Sequence, residues 1–205
     1  MTGNTWCYLF PTLRRLACIM GMLLAWNAHA GEGETLAQSN PETGLESWKA
    51  TRHGVILELA QLTPDQSRAF FIGRGFEPAE AEHYAAACVF MTILRNEAAP
   101  SAIAYRLADW RAITADGRAL PAKLKENWLK EWDARNLAPA RKIAFEWSQF
   151  PSEQTFEPGD WTQGMTTFTL PRGSRFNLEY RWTIKDQQQK NTLKGVHCAH
   201  DVSSN

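Results

Sequence analysis

The order of apolar and polar positions predicts a mixture of helices and strands, among them one unusually apolar segment. Residues 84–94 (YAAACVFMTIL) are apolar at every position except Thr92. They follow Glu77-Pro78, and a proline at this place is typical of a helix start. A helix that is apolar on every side must be buried on every side. The pattern therefore predicts a central core helix around which the other elements pack.

A second, amphipathic helix is predicted immediately before the core helix. Thr63 can cap this helix, Pro64 suits its first position, and Gln66 can complete a capping box. Gly73-Arg74-Gly75 would end it, because glycine readily adopts the left-handed conformation found at helix C-termini. The two helices would then form a hairpin.

Strict alternation of apolar and polar residues predicts strands elsewhere. Val55, Leu57 and Leu59 alternate with less apolar residues, and every second residue from Phe176 to Ile184 is apolar. Such alternation indicates one buried and one solvated face, as in an antiparallel sheet. A loop at 171–174 joins the last of these strands to a preceding strand, so that 163–184 forms a hairpin.

Helical spacing returns between these strands. Leu124, Trp128 and Trp132 lie four residues apart and predict a surface helix with one apolar stripe. Residues 142–150 fit a short helix or a strand, and a helix is favoured. The predicted fold class is α+β: a helical hairpin with a buried central helix, packed on a mainly antiparallel sheet. The C-terminal hairpin region is a candidate for a sandwich-like arrangement.

The N-terminal 30 residues have the features of an export signal. Arg14 and Arg15 precede the apolar run 16–26, and Ala28-His29-Ala30 fits the small-x-small pattern of a cleavage site. The run is shorter than the roughly 20 residues that span a bilayer. Cleavage and a periplasmic or secreted location are therefore expected, with an uncleaved membrane anchor as the alternative.

The expected domain organisation follows from this signal. Residues 1–30 form the signal peptide, and the polar, glycine-containing segment 31–47 is predicted to be a flexible leader. Residues 48–198 would form a single α+β domain, and 199–205 a flexible tail.

Cysteine usage predicts one covalent link. Cys7 and Cys18 lie in the signal, which leaves Cys88 and Cys198 after cleavage. In an oxidising compartment, a single pair of cysteines is most simply a disulfide. Closing a loop of about 100 residues contributes roughly 4–5 kcal/mol in the chain-entropy model.

Charge and hydropathy limit the classes of partner. The chain has 22 basic and 22 acidic residues, and removal of residues 1–30 leaves a net charge of −2. Nucleic-acid binding would require a basic patch, which the sequence does not indicate. No segment after the signal is long and apolar enough to span a membrane. The expected partner is another envelope protein or a small ligand.

A metal site is the first alternative. His197 and His200 flank Cys198, and Met91 lies three residues after Cys88, so a copper site with histidine, methionine and cysteine ligands is conceivable across the cysteine pair. A disulfide would remove both thiolates from such a site. The cofactor prediction is therefore none, with copper as the alternative.

Catalysis is the second alternative. Glu58 and Asp109 each lie within an apolar strand pattern, where burial would raise a carboxyl pKa and suit acid–base chemistry. Strand positions facing water explain Glu58 and Asp109 just as well. His83 is a further candidate, for which an exposed first-turn position on the core helix is the favoured explanation. The sequence has none of the common hydrolase, zinc-protease or phosphate-loop motifs, and it does not favour an enzyme.

Seven tryptophans remain after cleavage, and exposed tryptophans in an exported protein can bind sugars or protein partners. Trp161 lies in a loop-like segment and is the tryptophan most expected to be exposed. Arg74 is a candidate for binding an acidic group, although its default role is that of a solvated cap near a helix C-terminus. The leading hypothesis is an exported binding or accessory protein without catalytic activity, stabilised by one disulfide.

Overall fold

A computed structural model of the chain describes residues 34–201. The predicted signal peptide, the first residues of the predicted leader and the last four residues of the chain lie outside this part. The described part contains four α-helices and eleven strands in an antiparallel sheet, so the protein is a mixed α and β protein. Within the same residues, no helix is long and apolar enough to cross a membrane.

The elements follow each other in a mixed order. The helices are α1 (Pro64–Ile72), α2 (Pro78–Ala85), α3 (Lys125–Ala134) and α4 (Pro139–Ser148). The first seven strands are β1 (Glu34–Ser39), β2 (Glu46–Arg52), β3 (Val55–Leu62), β4 (Cys88–Asn96), β5 (Ile103–Arg106), β6 (Arg111–Thr114) and β7 (Ala119–Lys123). The last four are β8 (Glu153–Phe156), β9 (Trp161–Phe168), β10 (Arg175–Ile184) and β11 (Gln187–His197).

The sheet has the strand order β1-β2-β3-β4-β9-β7-β6-β10-β5-β8, and β11 also pairs with β10. The first half of the sheet comprises β1 to β4 and β9, and the second half comprises β5, β6, β8, β10 and β11. Strand β7 joins the halves, because Ala122 pairs with Phe168 of β9 while Leu120 pairs with Ala112 of β6. The strands therefore form one hydrogen-bonded path.

Two hydrophobic cores lie on opposite faces of the first half. The first core contains residues of both halves of the sheet, among them Trp48, Leu57, Phe90, Tyr180 and Leu193. The second core joins the outer face of β4 and β9 to the four helices. Its largest members are Phe71, Tyr84, Trp128, Trp132 and Phe145. The predicted tryptophan stripe of α3 thus packs into the second core.

The prediction of a buried helix over 84–94 is wrong. Helix α2 ends at Ala85, and from Cys88 onward the chain forms β4, in the middle of the first half of the sheet. Even-numbered apolar residues of β4 belong to the first core, whereas Val89 and Met91 pack in the second. A strand covered on both faces is apolar at nearly every position, which is also the pattern of a fully buried helix.

The predicted flexible leader contains an ordered strand. Strand β1 pairs with β2 from Glu34–Thr51 to Ser39–Glu46. Edge strands are held mainly by backbone hydrogen bonds and carry polar side chains, so polar composition does not distinguish them from loops. The predicted tail is also held in its described part: Ala199 is buried, and the Asp201 carboxylate contacts Arg68 and Arg172.

A disulfide joins Cys88 and Cys198 with a Cα–Cα distance of 5.1 Å, across a sequence separation of 110 residues. Cys88 is the first residue of β4 and Cys198 follows β11, so the bond connects the two halves of the sheet at the first core. Nearby, the Gln61 side-chain amide donates to the His197 carbonyl at 2.9 Å. The covalent link therefore runs between strands instead of starting from the predicted core helix.

Candidate functional site

A groove with a volume of about 350 Å³ opens between α1, α4 and the outer face of β4 and β9. We call it the Trp147 groove. Its lining residues are Phe70, Arg74, Met91, Ala144, Trp147, Ser148, Gln163, Gly164 and Met165. Met91 and Met165 are directly paired across β4 and β9, and both pack on the second core. The groove therefore has an apolar floor above a packed interior.

Trp147 is the most exposed large hydrophobic residue in the described part of the chain, with 87% of its surface accessible. It lies in the last turn of α4, two residues after Phe145, which is fully buried in the second core. Two residues correspond to a rotation of about 200° around a helix, so the two rings lie on opposite sides of α4. Ile143, four residues before Trp147 and therefore on its face of the helix, is 56% exposed.

The two residues after α4 are held against β9 and α2 by hydrogen bonds. The Phe150 amide donates to the Met165 carbonyl at 2.9 Å, and Gln149 forms a parallel bridge with the same residue. The buried Tyr84 hydroxyl donates to the Gln149 side chain at 3.0 Å. Burial raises the pKa of Tyr84, so this hydroxyl stays neutral. These bonds fix the position from which Trp147 projects.

A row of outward-facing residues continues from the groove along β4 and β9. We call it the outer strip; it consists of three cross-strand pairs, Met91–Met165, Ile93–Gln163 and Arg95–Trp161. Trp161 is 50% exposed, and the Arg95 guanidinium lies 4.9 Å from the centre of its ring. Alternate residues of a strand are about 7 Å apart. The outer strip therefore extends roughly 13 Å from the groove to the Arg95–Trp161 pair.

Arg74 borders the groove on the side of α1. Its guanidinium carbon lies 3.3 Å from the centre of the Phe70 ring, and Nη1 donates to the Phe70 carbonyl at 3.0 Å. It thus makes the capping contact expected of a basic residue after a helix. Arg74 and Trp161, the two predicted binding residues, lie on the same surface, since Gln163 lines the groove and is two residues from Trp161 on β9.

Sequence reasoning did not single out Trp147. In residues 142–150, Phe145 and Trp147 are two positions apart, which fits one face of a strand. In the helix that forms there, the same spacing places one ring in the core and the other in solvent. If this segment is a helix and Phe145 faces the core, then Trp147, two residues later, must face away from the core. This relationship is the signal that could have identified Trp147.

The three candidate catalytic residues lie on separate elements and are engaged in ion pairs. Glu58 on the outer face of β3 contacts Lys49 at 3.1 Å. Asp109 contacts Arg106 at 3.1 Å in a shallow depression beside Arg181. These contacts explain both carboxylates as partners of neighbouring cations.

His83 joins α2 to α3. Its Nε2 lies 3.1 Å from the Glu131 carboxylate, and its Nδ1 lies 3.2 Å from a guanidinium nitrogen of Arg135. Since arginine only donates hydrogen bonds, Nδ1 accepts and Nε2 carries the proton given to Glu131. Burial opposes ionisation of Glu131, yet bonds from Lys123 and His83 hold its pKa below the usual value. Both ring nitrogens of His83 are thus engaged by charged side chains of α3 and of the residue that follows it.

The residues of the copper hypothesis do not converge. Met91 lies on the outer face of β4, whereas Cys88 and Cys198 are bonded to each other in the first core. His197 packs its ring edge-on against Trp48 in that core, with Nδ1 3.6 Å from the Glu46 carboxylate. His200 is exposed at the surface.

Across residues 34–201, no group of three histidine, cysteine, aspartate or glutamate side chains is arranged to hold a metal ion. The separation of Met91 from the cysteine pair has a simple cause. Met91 and Cys88 differ by an odd number of residues in a strand, which places them on opposite faces of the sheet. In the predicted helix, residues three apart would lie on one face, and Met91 would have been close to Cys88.

No protein-family profile, curated protein or solved structure matches this chain. The strongest evidence on function is therefore the geometry of the Trp147 groove and the outer strip.

Proposed function

We propose that this is an exported binding or accessory protein of the cell envelope, periplasmic or secreted, which holds a partner through the Trp147 groove without catalysing a reaction. The N-terminal signal features support export, and the disulfide between Cys88 and Cys198 suits an oxidising compartment. The groove and the outer strip supply the binding surface.

The exposure of Trp147 is the observation that carries the proposal. A tryptophan with 87% of its surface in water leaves a large apolar area unburied, and its backbone is firmly held by the bonds at Gln149 and Phe150. Tryptophan and arginine are among the residue types that dominate binding energy in protein interfaces. Trp147, Trp161, Arg74 and Arg95 bring both types onto one surface.

The chemistry of the groove supports binding instead of catalysis. Its polar side chains are Arg74, Ser148 and Gln163. The Ser148 hydroxyl donates to the Phe145 carbonyl at 2.6 Å and accepts from the Gln149 amide at 2.9 Å. A serine nucleophile requires a base that accepts its proton, and here the proton is held by a backbone carbonyl.

A photocrosslinking experiment in the native cells tests the proposal. A photoreactive amino acid at position 147 is expected to capture a defined partner in the envelope, and the same group at Gln188, an exposed position on β11, should not. Addition of purified Trp147→Ala protein should compete for the partner less effectively than addition of the unaltered protein. Capture that is equal from both positions, or a monomer without any crosslinked partner, would contradict the proposal.

A further inference from the structure

We infer that the partner is a protein that presents an acidic segment, with an apolar side chain for the Trp147 groove and carboxylates for Arg74 and Arg95. This inference rests on the proposed function and specifies the chemistry of the partner. Three properties of the Trp147 groove and the outer strip support it: their charge, their amino-acid composition and the length of the strip.

Arg74 and Arg95 differ from the arginines that form ion pairs on the described surface. Arg68, Arg141 and Arg172 each contact at least one carboxylate. Arg74 and Arg95 instead stack on aromatic rings, and neither lies within ion-pair distance of a carboxylate among residues 34–201. Two cations on one binding surface are thus left without a counter-charge.

Stacking leaves the hydrogen-bonding edge of each guanidinium available. Arginine carries five N–H donors in a fixed plane, and the hydrogen bond from Arg74 to the Phe70 carbonyl uses one nitrogen, Nη1. A carboxylate can accept two parallel hydrogen bonds from such an edge, and charge assistance makes these bonds about twice as strong as neutral ones. Glu58, across from Ile93 on β3, does not compete because it is held by Lys49.

The composition of the surface favours a protein over a sugar. Tryptophan, methionine and arginine are enriched in protein–protein interfaces, whereas lysine, aspartate and glutamate are depleted. The floor is formed by Met91 and Met165, whose flexible side chains adapt to an apolar partner group. A sugar offers many hydroxyls that need polar partners. The groove has two uncharged polar side chains, Ser148 and Gln163, and Ser148 is already hydrogen-bonded to Phe145 and Gln149.

The outer strip has the length of a short peptide segment. The roughly 13 Å between Met91 and Arg95 corresponds to about four residues of extended chain. We therefore expect an apolar anchor in the groove and acidic residues on both sides of it. One acidic side chain would reach Arg74 at the α1 edge, and another would reach Arg95 beside Trp161.

Selection from a display library of random peptides tests the inference. The library is panned on the purified protein and depleted on the Trp147→Ala variant. The enriched peptides are expected to combine an aromatic or long aliphatic residue with flanking aspartate or glutamate. Their affinity should fall about tenfold or more when Arg74 and Arg95 are both changed to glutamine, and it should weaken as salt is added.

A control is the Arg118→Gln variant, because Arg118 is an exposed arginine that pairs with Asp116 in the turn between β6 and β7 and does not line the Trp147 groove. This variant should bind the selected peptides like the unaltered protein. Thermal unfolding of each variant shows that the surface changes leave the fold intact.

The opposing outcomes are distinct. Peptides that require Trp147 but are neutral or basic, or that bind the Arg74→Gln/Arg95→Gln variant unchanged, would overturn the acidic partner and leave the proposed binding function standing. Binding to acidic oligosaccharides on a glycan array, lost in Trp147→Ala and without any selected peptide, would overturn the protein class. Absence of any Trp147-dependent ligand in both assays would contradict the inference and the proposed function together.

Discussion

Gly164 lies against the backbone of Phe150 so closely that a Cβ atom on residue 164 would be 2.4 Å from the Phe150 amide nitrogen. This close approach allows the segment after α4 to cross over β9 and the Phe150 amide to reach the Met165 carbonyl. It also determines how near α4 comes to the sheet, and therefore the shape of the Trp147 groove.

Replacing Gly164 by alanine should destabilise the protein and distort the groove. The added methyl group meets backbone atoms, which cannot rotate away as a flexible side chain can. We expect a loss of about 1–3 kcal/mol in the free energy of unfolding, as for overpacked interiors. Urea unfolding of the variant measures this loss.

The Gly73→Ala variant is a suitable control for this change. Gly73 has an ordinary helical φ of −61°, whereas Gly164 lies in β9, and a Cβ atom on residue 73 would be 3.2 Å from the Ala69 carbonyl oxygen. A smaller loss is expected there. Equal stability of the Gly164→Ala variant and the unaltered protein would show that the α4–β9 contact is not rigid.

Removing the disulfide should cost stability without changing the groove. Changing Cys88 and Cys198 together to alanine is expected to lower the free energy of unfolding by about 2–5 kcal/mol, because the bond closes a long loop. Unfolding of both proteins under non-reducing conditions measures the difference. Mass spectrometry on protein isolated from the envelope should find the two cysteines oxidised; free thiols in that material would contradict this.

Thr92 and Thr166 form a buried hydrogen bond between their hydroxyl groups at 2.6 Å. Changing Thr92 to valine leaves the Thr166 hydroxyl buried without this partner, and a loss of about 1–3 kcal/mol is expected. Changing both residues to valine removes the pair and should cost less than the sum of the single changes. A double-mutant cycle in urea tests this, and strictly additive losses would show that the two hydroxyls are not coupled.

Glu131 should contribute to the pH dependence of stability. Its pKa in the folded protein is below the ordinary 4.5, because Lys123 and His83 stabilise the carboxylate despite the opposing effect of burial. Its stabilising effect is therefore present above pH 4.5 and lost as pH falls through the folded pKa. The carboxylate is partly exposed, so the contribution should be at most about 1 kcal/mol.

The Glu131→Gln variant checks this dependence. It should be less stable than the unaltered protein near neutral pH, and the difference should shrink as the pH falls below 4.5. Unfolding curves collected across this range measure the effect. Glu42→Gln is the control, since Glu42 is exposed and has no ion pair within the described residues. A difference between Glu131→Gln and the unaltered protein that stays constant with pH would contradict the assignment.

Local patterns predicted the elements whose structure depends on nearby residues. Thr63 and Gln66 exchange the two hydrogen bonds of a capping box at the start of α1, as the spacing of these residues indicates. Strand β10 shows the predicted alternation, with Phe176, Leu178 and Tyr180 buried in the first core. The capping box is formed by residues three positions apart, and the burial pattern of β10 repeats every two residues. Both features can therefore be recognised in a short stretch of sequence.

Patterns failed where distant parts of the chain decide the outcome. The apolar run in residues 84–94 continues into β4, whose two faces are covered by two different cores. A buried helix has the same apolar composition, so the pattern could not distinguish the two. Strand β1 contains few apolar residues and is held by its pairing with β2. Neither result can be obtained from hydrophobic periodicity alone.

The sequence by itself determined the α and β composition, the start of α1, the alternating strands and the candidate cysteine pair. Only the tertiary structure decided that Trp147 faces solvent, and that Arg74 and Trp161 share a surface. The reason is physical. Capping and periodicity depend on neighbours along the chain, whereas the exposure of a side chain depends on which remote elements pack against it.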